Sequence, residues 1–253
     1  MERLRVVGGA RLTGTVNVSG AKNSALKLMA ATLLAPGKSK ITNIPAIADV
    51  DYMGELLTRL GCKVEINNEA GEVSIEVPEV IGHRADYDLV RKLRASINVL
   101  GPLITRAGSA EVALPGGDAI GTRGLDFHMN GLSDMGAEIK LEHGFIVAST
   151  NKRLKGAVIT LEFPSVGATE NIMTAATLAE GLTTIENAAR EPDVVDLGEF
   201  LISMGAKITG LGSHTIKIEG VTKLNSAKHA TLSDRIVSGT WAFAAAMTKG
   251  DIT

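Results

Sequence analysis

Four segments of the chain share one pattern, and that repetition limits the possible folds more than any other feature of the sequence. "NSALKLMAATLLAPGKSKITNI", "RASINVLGPLITRAGSAEVAL", "ATENIMTAATLAEGLTTIENA" and "DRIVSGTWAFAAAMTKGDIT" each read as an apolar helix, a glycine stop and a short strand. The stopping glycines are Gly37, Gly108, Gly181 and Gly250, spaced by about 70 residues, a period that marks a repeated supersecondary unit. Glycine just past a helix end is the usual left-handed terminator. A second theme alternates with the first: "LLTRLGCKVEI", "GLSDMGAEIKL" and "FLISMGAKITG". Each reads as a helix closed by Gly61, Gly136 or Gly205 and followed by the alternating residues of a β-hairpin.

One unit is therefore helix, strand, helix, hairpin. Helices this apolar on most faces belong inside the protein with sheets packed around them, an α/β arrangement turned inside out. Cys62 follows Gly61 where Ala137 and Ala206 follow the equivalent glycines, so it is expected to be a small buried strand-start residue rather than a nucleophile. The fourth unit has its first helix and the opening of a strand, "GDIT", with no evident partner. That pattern leads to the expectation that the chain is the front part of a longer protein, with a second lobe largely missing.

The residue totals exclude several classes. Hydrophobic residues make up 45% and charged residues 21%, the balance of a folded globular protein. A net charge of −2 argues against nucleic acid or a membrane surface as partner, because there is no cationic excess to neutralise phosphates. Aromatic residues at 3% provide no base-stacking platform. The N-terminal "MERLRVVGGARL" lacks a signal-peptide core and no apolar run is long enough to span a bilayer, so a cytoplasmic location is expected.

Charges fall at matching places in the repeat. Lys22, Arg94 and Arg235 occupy the first turn of three of the apolar helices, and Gly167 of "PSVGAT" stands there in the remaining one. A cation at a helix N-terminus opposes the macrodipole, at a cost of roughly 0.3–1 kcal/mol. Three such cations in four repeats point to a shared anion, met by side chains and free backbone N–H groups together. Glycine in "SVGAT" would let a phosphate approach the backbone closely.

Other phosphate signatures fail. "APGKSK" contains Gly-Lys-Ser, but Thr32 stands where a P-loop needs glycine. The five histidines show no metal-ligand spacing, and His128 alone lies near a candidate site. Spacing leaves a Ser-His-Asp triad open, yet no nucleophile-elbow sequence occurs. The segment "LPGGDAIGTRG" sets one acid, Asp118, and one base, Arg123, among glycines and small residues, where turn chemistry alone would explain an aspartate.

Together "SGAKNSAL", "LRASINVLGPL", "LPGGDAIGTR", "SVGAT" and "ENAAREPDVVDL" resemble the enolpyruvyl transferases, and within them the branch acting on UDP-N-acetylglucosamine. The resemblance covers the whole chain. It implies two lobes, each an inside-out α/β barrel of three repeated units, with the active site between them. Residues 1–20 and 231–253 would belong to the second lobe and 21–230 to the first.

The resemblance also implies a reaction joining phosphoenolpyruvate to the sugar 3′-hydroxyl with release of phosphate and no metal or organic cofactor. Lys22 with Asn23 would hold phosphoenolpyruvate, and Arg94 would face the substrate anions. Arg123 would contact both substrates, with Gly124, Leu125, Asp126 and Phe127 continuing the nucleotide-binding strip. Ser165, Val166 and Gly167 would receive the diphosphate at a helix N-terminus. Asn23 and Asp126 are also natural helix-entry caps.

Asp118 would be the proton donor, where most relatives carry cysteine and a minority aspartate. Lacking that thiol, the protein is expected to resist fosfomycin, which alkylates it. The competing branch, acting on 3-phosphoshikimate, usually shows Lys-Ser where this chain has Lys22-Asn23. A third possibility is an inactive sugar-nucleotide-binding fragment, because acid and base groups supplied by the second lobe would be absent.

Overall fold

In a computed structural model of the protein, residues 3–115 and 124–253 are described; Asp118 and Arg123 lie outside the described residues. After β1 (Thr13–Gly14), the first unit runs α1 (Lys22–Ala31), β2 (Gly37–Thr42), α2 (Ala48–Arg59) and the hairpin β3 (Lys63–Asn67) with β4 (Glu72–Val77). The second opens with β5 (Arg84–Ala85) and α3 (Tyr87–Val90). A 3-10 segment, Arg94–Val99, leads into α4 (Leu100–Ala107) and β6 (Ser109–Ala113), followed by α5 (Asp126–Asp134), β7 (Glu138–Glu142) and β8 (Phe145–Ser149). The third comprises β9 (Val158–Thr160), α6 (Val166–Ala176), β10 (Leu182–Glu186), α7 (Pro192–Ser203), β11 (Lys207–Thr209) and β12 (Thr215–Glu219). The chain continues through β13 (Lys228–Ala230), α8 (Arg235–Thr248) and β14 (Asp251–Ile252).

The first helices of the units form the interior. Every residue of α6 from Ala168 to Ala176 is buried, and α1 buries Ser24, Ala25, Leu26 and Leu28 to Ala31. Apart from Glu170 and Asn171, which meet polar partners inside the protein, the buried side chains are small or apolar, so these helices pack against one another and not on a surface. Three four-stranded sheets flank them, ordered β13-β2-β4-β3, β5-β6-β8-β7 and β11-β12-β10-β9. Along β4 and β12 the apolar residues Val73, Ile75, Val77, Ile216 and Ile218 turn inward, alternating with residues that are less buried. Cys62, Ala137 and Ala206 are all buried where these hairpins begin, as the repeat predicts.

Each four-stranded sheet also has a short strand that the sequence pattern does not reveal. β5 and β9 pair in parallel with β6 and β10, which makes each of those units a strand–helix–strand crossover. In the first sheet the corresponding parallel strand is β13, which arrives only after the third unit. β1, preceding the first unit, pairs in parallel with β14 of the fourth, so the two leading strands are exchanged and "GDIT" does have a partner. The two crossing segments lie side by side: Ala21 N–H donates to Leu232 O (2.8 Å) and Asp234 N–H to Ser19 O (2.9 Å).

Gly108 ends α4 in the left-handed conformation, φ 71°, as its place in the repeat predicts. At the end of α8 the left-handed residue is Lys249, φ 51°, and not Gly250. Ile236, Phe243 and Met247 of α8 are exposed, and no residue of that helix is buried.

Candidate functional site

The cations identified from the repeat stand where expected. Lys22 is the first residue of α1, Arg94 opens the 3-10 segment leading into α4, and Arg235 is the first residue of α8. Gly167 is the second residue of α6. Contacts at successive turns set the sense of the second unit's segment against α6: Asn171 reaches Ile97, and one turn further along both, a Cβ at Gly101 would stand 3.5 Å from Ala175 Cβ, so the two run in parallel. Lys27 on α1 faces Glu170 on α6, and Asn171 on α6 bonds to Ile97 O and Gly101 N–H on the second unit. The N-terminal ends of α6 and the second unit's segment therefore lie on one face, and Asp234 joins the first turns of α1 and α8.

Lys22 and Arg235 meet carboxylates of the protein itself. Lys22 Nζ lies 2.6 Å from Asp49 Oδ2, with half of the lysine side chain exposed. Arg235 Nε donates to Asp193 Oδ2 (3.2 Å). Asp234 bridges the two helix ends: its Oδ2 accepts from Lys22 N–H (3.1 Å), and its Oδ1 accepts from Ile236 N–H (2.8 Å) and Val237 N–H (3.1 Å). One buried carboxylate thus caps α8 directly and α1 from a distant part of the chain. Asn23 is not the cap of α1; Ala21 holds that position without a side-chain bond, and Asn23 is exposed in the first turn. A second buried aspartate, Asp196, accepts from Ser24 Oγ, lies 2.7 Å from His229 Nε2, and so ties α1 and α7 to β13.

On the neighbouring side, Ser165 caps α6 by accepting from Ala168 N–H (3.3 Å), while the Val166 and Gly167 N–H groups belong to the first turn, where a helix has no acceptor of its own for them. A side chain at position 167 would press on the His128 ring, its Cβ standing 3.2 Å from Cε1. His128 is buried, and its Nδ1 lies 3.1 Å from Asn171 Nδ2. Burial, and secondarily the nearby charge of Arg94, lower its pKa to about 4, against the opposing pull of Asp126. Asp126 is exposed as the first residue of α5 and does not cap it; Leu125 is the cap, and Asp126 complements the dipole from within the first turn. Leu125 and Phe127 are half-buried against the core, and Gly124 sits beneath the Asp126 carboxylate.

A buried ion pair joins the two sides. Lys27 Nζ lies 3.3 Å from Glu170 Oε2 and donates to Oε1 (3.4 Å), while Oε2 has no aligned donor. Burial raises the Glu170 pKa to about 7 despite Lys27; Asp193 and Glu191 add to the rise. Neither this pair nor the Asp234 bridge was anticipated from sequence, although aspartate directly before the apolar run of α8 is an ordinary cap signal.

Two cavities of the described residues lie elsewhere. One, of about 300 Å³, is at the C-terminal end of α4 beside Arg106, Lys152 and Arg153. Arg106 and Arg153 donate there to the carbonyls of Leu33, Pro78, Leu178 and Ala179, so their charges serve helix and loop ends.

Interior helices, three flanking sheets and exchanged leading strands together define an enolpyruvyl transferase fold. The chain belongs to the EPSP synthase family, whose model, "EPSP synthase (3-phosphoshikimate 1-carboxyvinyltransferase)", matches residues 6–253. Its sequence relatives within that family carry a more specific name. It is 60% identical over 98% of its length to UDP-N-acetylglucosamine 1-carboxyvinyltransferase of Corynebacterium jeikeium, and 57% identical over 99% to that of Mycobacterium leprae. The chain spans about 59% of the length of these curated relatives. Among solved structures, the enolpyruvyl transferase NikO from Streptomyces tendae matches with a TM-score of 0.81 at 23% identity, over 92% of this chain and 55% of that one. An EPSP synthase from Acinetobacter baumannii matches with a TM-score of 0.73 at 20% identity, over 92% and 53%. These two likenesses establish the fold.

Proposed function

We propose that the chain is the sugar-nucleotide-binding part of a UDP-N-acetylglucosamine 1-carboxyvinyltransferase, which transfers the enolpyruvyl group of phosphoenolpyruvate to the sugar 3′-hydroxyl. The observation that carries this is the 60% identity, over 98% of the chain, to a relative of that name. In the reaction, a proton adds to C3 of phosphoenolpyruvate while the sugar hydroxyl gives up its proton to a base and its oxygen adds to C2, giving a tetrahedral intermediate. Loss of a proton from C3 and departure of phosphate then leave the enolpyruvyl ether. Both substrates are anions, so positioned cations and backbone donors dominate binding.

In this scheme Lys22 and Asn23 hold phosphoenolpyruvate, with Asp49 as the counter-ion that the substrate displaces from Lys22. Arg94 and Arg123 face the anions of both substrates. Gly124 to Phe127 form the nucleotide strip, and the first turn of α6, Ser165 to Gly167, receives the diphosphate. Asp118 is the proton donor to C3. A free aspartate ionises near 3.9, so this role requires closure and desolvation to keep it protonated against any nearby arginine.

Residues 21–230 form the first lobe, while 1–20 and 231–253 belong to a second; the pairing of β1 with β14 supports that division. The location is cytoplasmic, since both substrates are phosphorylated metabolites that do not cross a bilayer unaided.

The family model's own description favours a second reading, action on 3-phosphoshikimate. Calorimetric titration of the chain separates them. Saturable binding of UDP-N-acetylglucosamine, with shikimate 3-phosphate inert and Arg94→Ala weakened, is expected; binding of shikimate 3-phosphate alone would overturn the proposal.

A further inference from the structure

Asn171 is fully buried, and its amide orientation is decided by backbone groups on either side. Its Oδ1 accepts from Gly101 N–H (2.8 Å), and its Nδ2 donates to Ile97 O (3.1 Å). Turning the amide over would set oxygen against the Ile97 carbonyl and N–H against the Gly101 N–H, losing two buried bonds at once. The second Nδ2 hydrogen is therefore available to His128 Nδ1, 3.1 Å away, which must accept it. An imidazole that accepts at Nδ1 carries its proton on Nε2.

That Nε2 has no hydrogen-bond partner among the described residues, although the side chain is 5% exposed. It lies against the first turn of α6: a Cβ at Gly167 would stand 3.3 Å from it. The Val166 and Gly167 N–H groups open on the same turn.

We infer that Asn171 is a positioning residue that fixes the Nε2–H tautomer of His128, and that this N–H is a third donor, beside Val166 and Gly167, to a phosphate oxygen of a nucleoside diphosphate. The inference rests on the placement of the diphosphate at α6 proposed above. Arg94 and Asp126 are the charged groups that act on the imidazole. With its pKa near 4, His128 donates as a neutral group throughout the physiological range, and the positive charge of the site comes from arginine and the helix end. Glycine at 167 leaves room for both the imidazole and the phosphate oxygen.

Two measurements on the chain test this. Nitrogen-15 NMR of His128 is expected to show a pyrrole-type Nε2 and a pyridine-type Nδ1 at pH 7, and the reverse in Asn171→Asp, whose carboxylate accepts from Nδ1–H. Titration with UDP-N-acetylglucosamine, UDP and uridine reads the ligand contact. His128→Leu should bind the two phosphorylated ligands about tenfold more weakly, the scale of one hydrogen bond to a charged group, with uridine unchanged. His128→Gln, which keeps a donor near Nε2, should recover most of the loss, and Asn171→Asp should weaken UDP at least as much as His128→Leu.

A proton found on Nδ1 in the wild type, or His128→Leu binding UDP within twofold of a wild type that does bind it, refutes the inference alone. A wild type with the expected tautomer that binds no UDP refutes the placement of the diphosphate itself, and the ligand inferred here with it.

Discussion

Replacing Glu170 by glutamine should change how stability depends on pH. The unfolded carboxyl ionises near 4.5, and in the folded protein burial raises that to about 7. Between those values the unfolded chain gives up a proton that the folded one keeps, so stability falls as pH rises and levels off once both forms are ionised. At about 1.4 kcal/mol per pH unit, the interval corresponds to about 3 kcal/mol in total. The side chain is fully buried, so solvent screening does not reduce this figure. A glutamine side chain has the shape of the protonated acid and can accept from Lys27, but it does not titrate.

Urea unfolding of both proteins, followed by far-UV circular dichroism at constant ionic strength from pH 4.5 to 8.5, isolates the effect because all other groups are shared. Near pH 4.5 the two should be about equally stable. By pH 8 Glu170→Gln should be the more stable by about 3 kcal/mol. Parallel curves, or a variant that loses ground as pH rises, would show that Glu170 is ionised in the folded protein at low pH and that Lys27 outweighs burial.

Three further outcomes follow. Asp234→Ala removes the cap of α8 and the acceptor for Lys22 N–H together, so it should cost about 1–2 kcal/mol in urea unfolding, and Asp234→Asn should restore most of it. Cys62, buried with its pKa raised to about 11, should react with iodoacetamide only on unfolding, and mass spectrometry of the native chain incubated with fosfomycin should show no adduct, since position 118 offers no thiol.

The helices and hairpins were legible because their signals are local: apolar runs closed by glycine, then alternation. The leading strands β5, β9 and β13 were not, because two or three residues carry no period, and their pairing depends on the helix packing around them. The exchange of β1 with β13 was equally hidden, since nothing in "LTG" or "KHA" names its partner. Lys22, Arg94 and Gly167 could be placed because the repeat aligns them at helix entries. Their carboxylate partners could not: Asp49 and Asp193 come from other helices, and Asp234 reaches α1 from the far end of the chain. Asn23 and Asp126 resembled caps in sequence, but backbone geometry moved each one residue or more into its helix. The Asn171–His128 contact joins two units and leaves no trace in either.

Amide NMR of the chain during addition of UDP-N-acetylglucosamine locates the ligand most directly. The Val166 and Gly167 signals should shift first and saturate together with the His128 ring resonances, leaving the Arg106–Arg153 end undisturbed. Saturable shifts confined to that opposite end, with α6 unchanged, would contradict a diphosphate site at the first turn of α6.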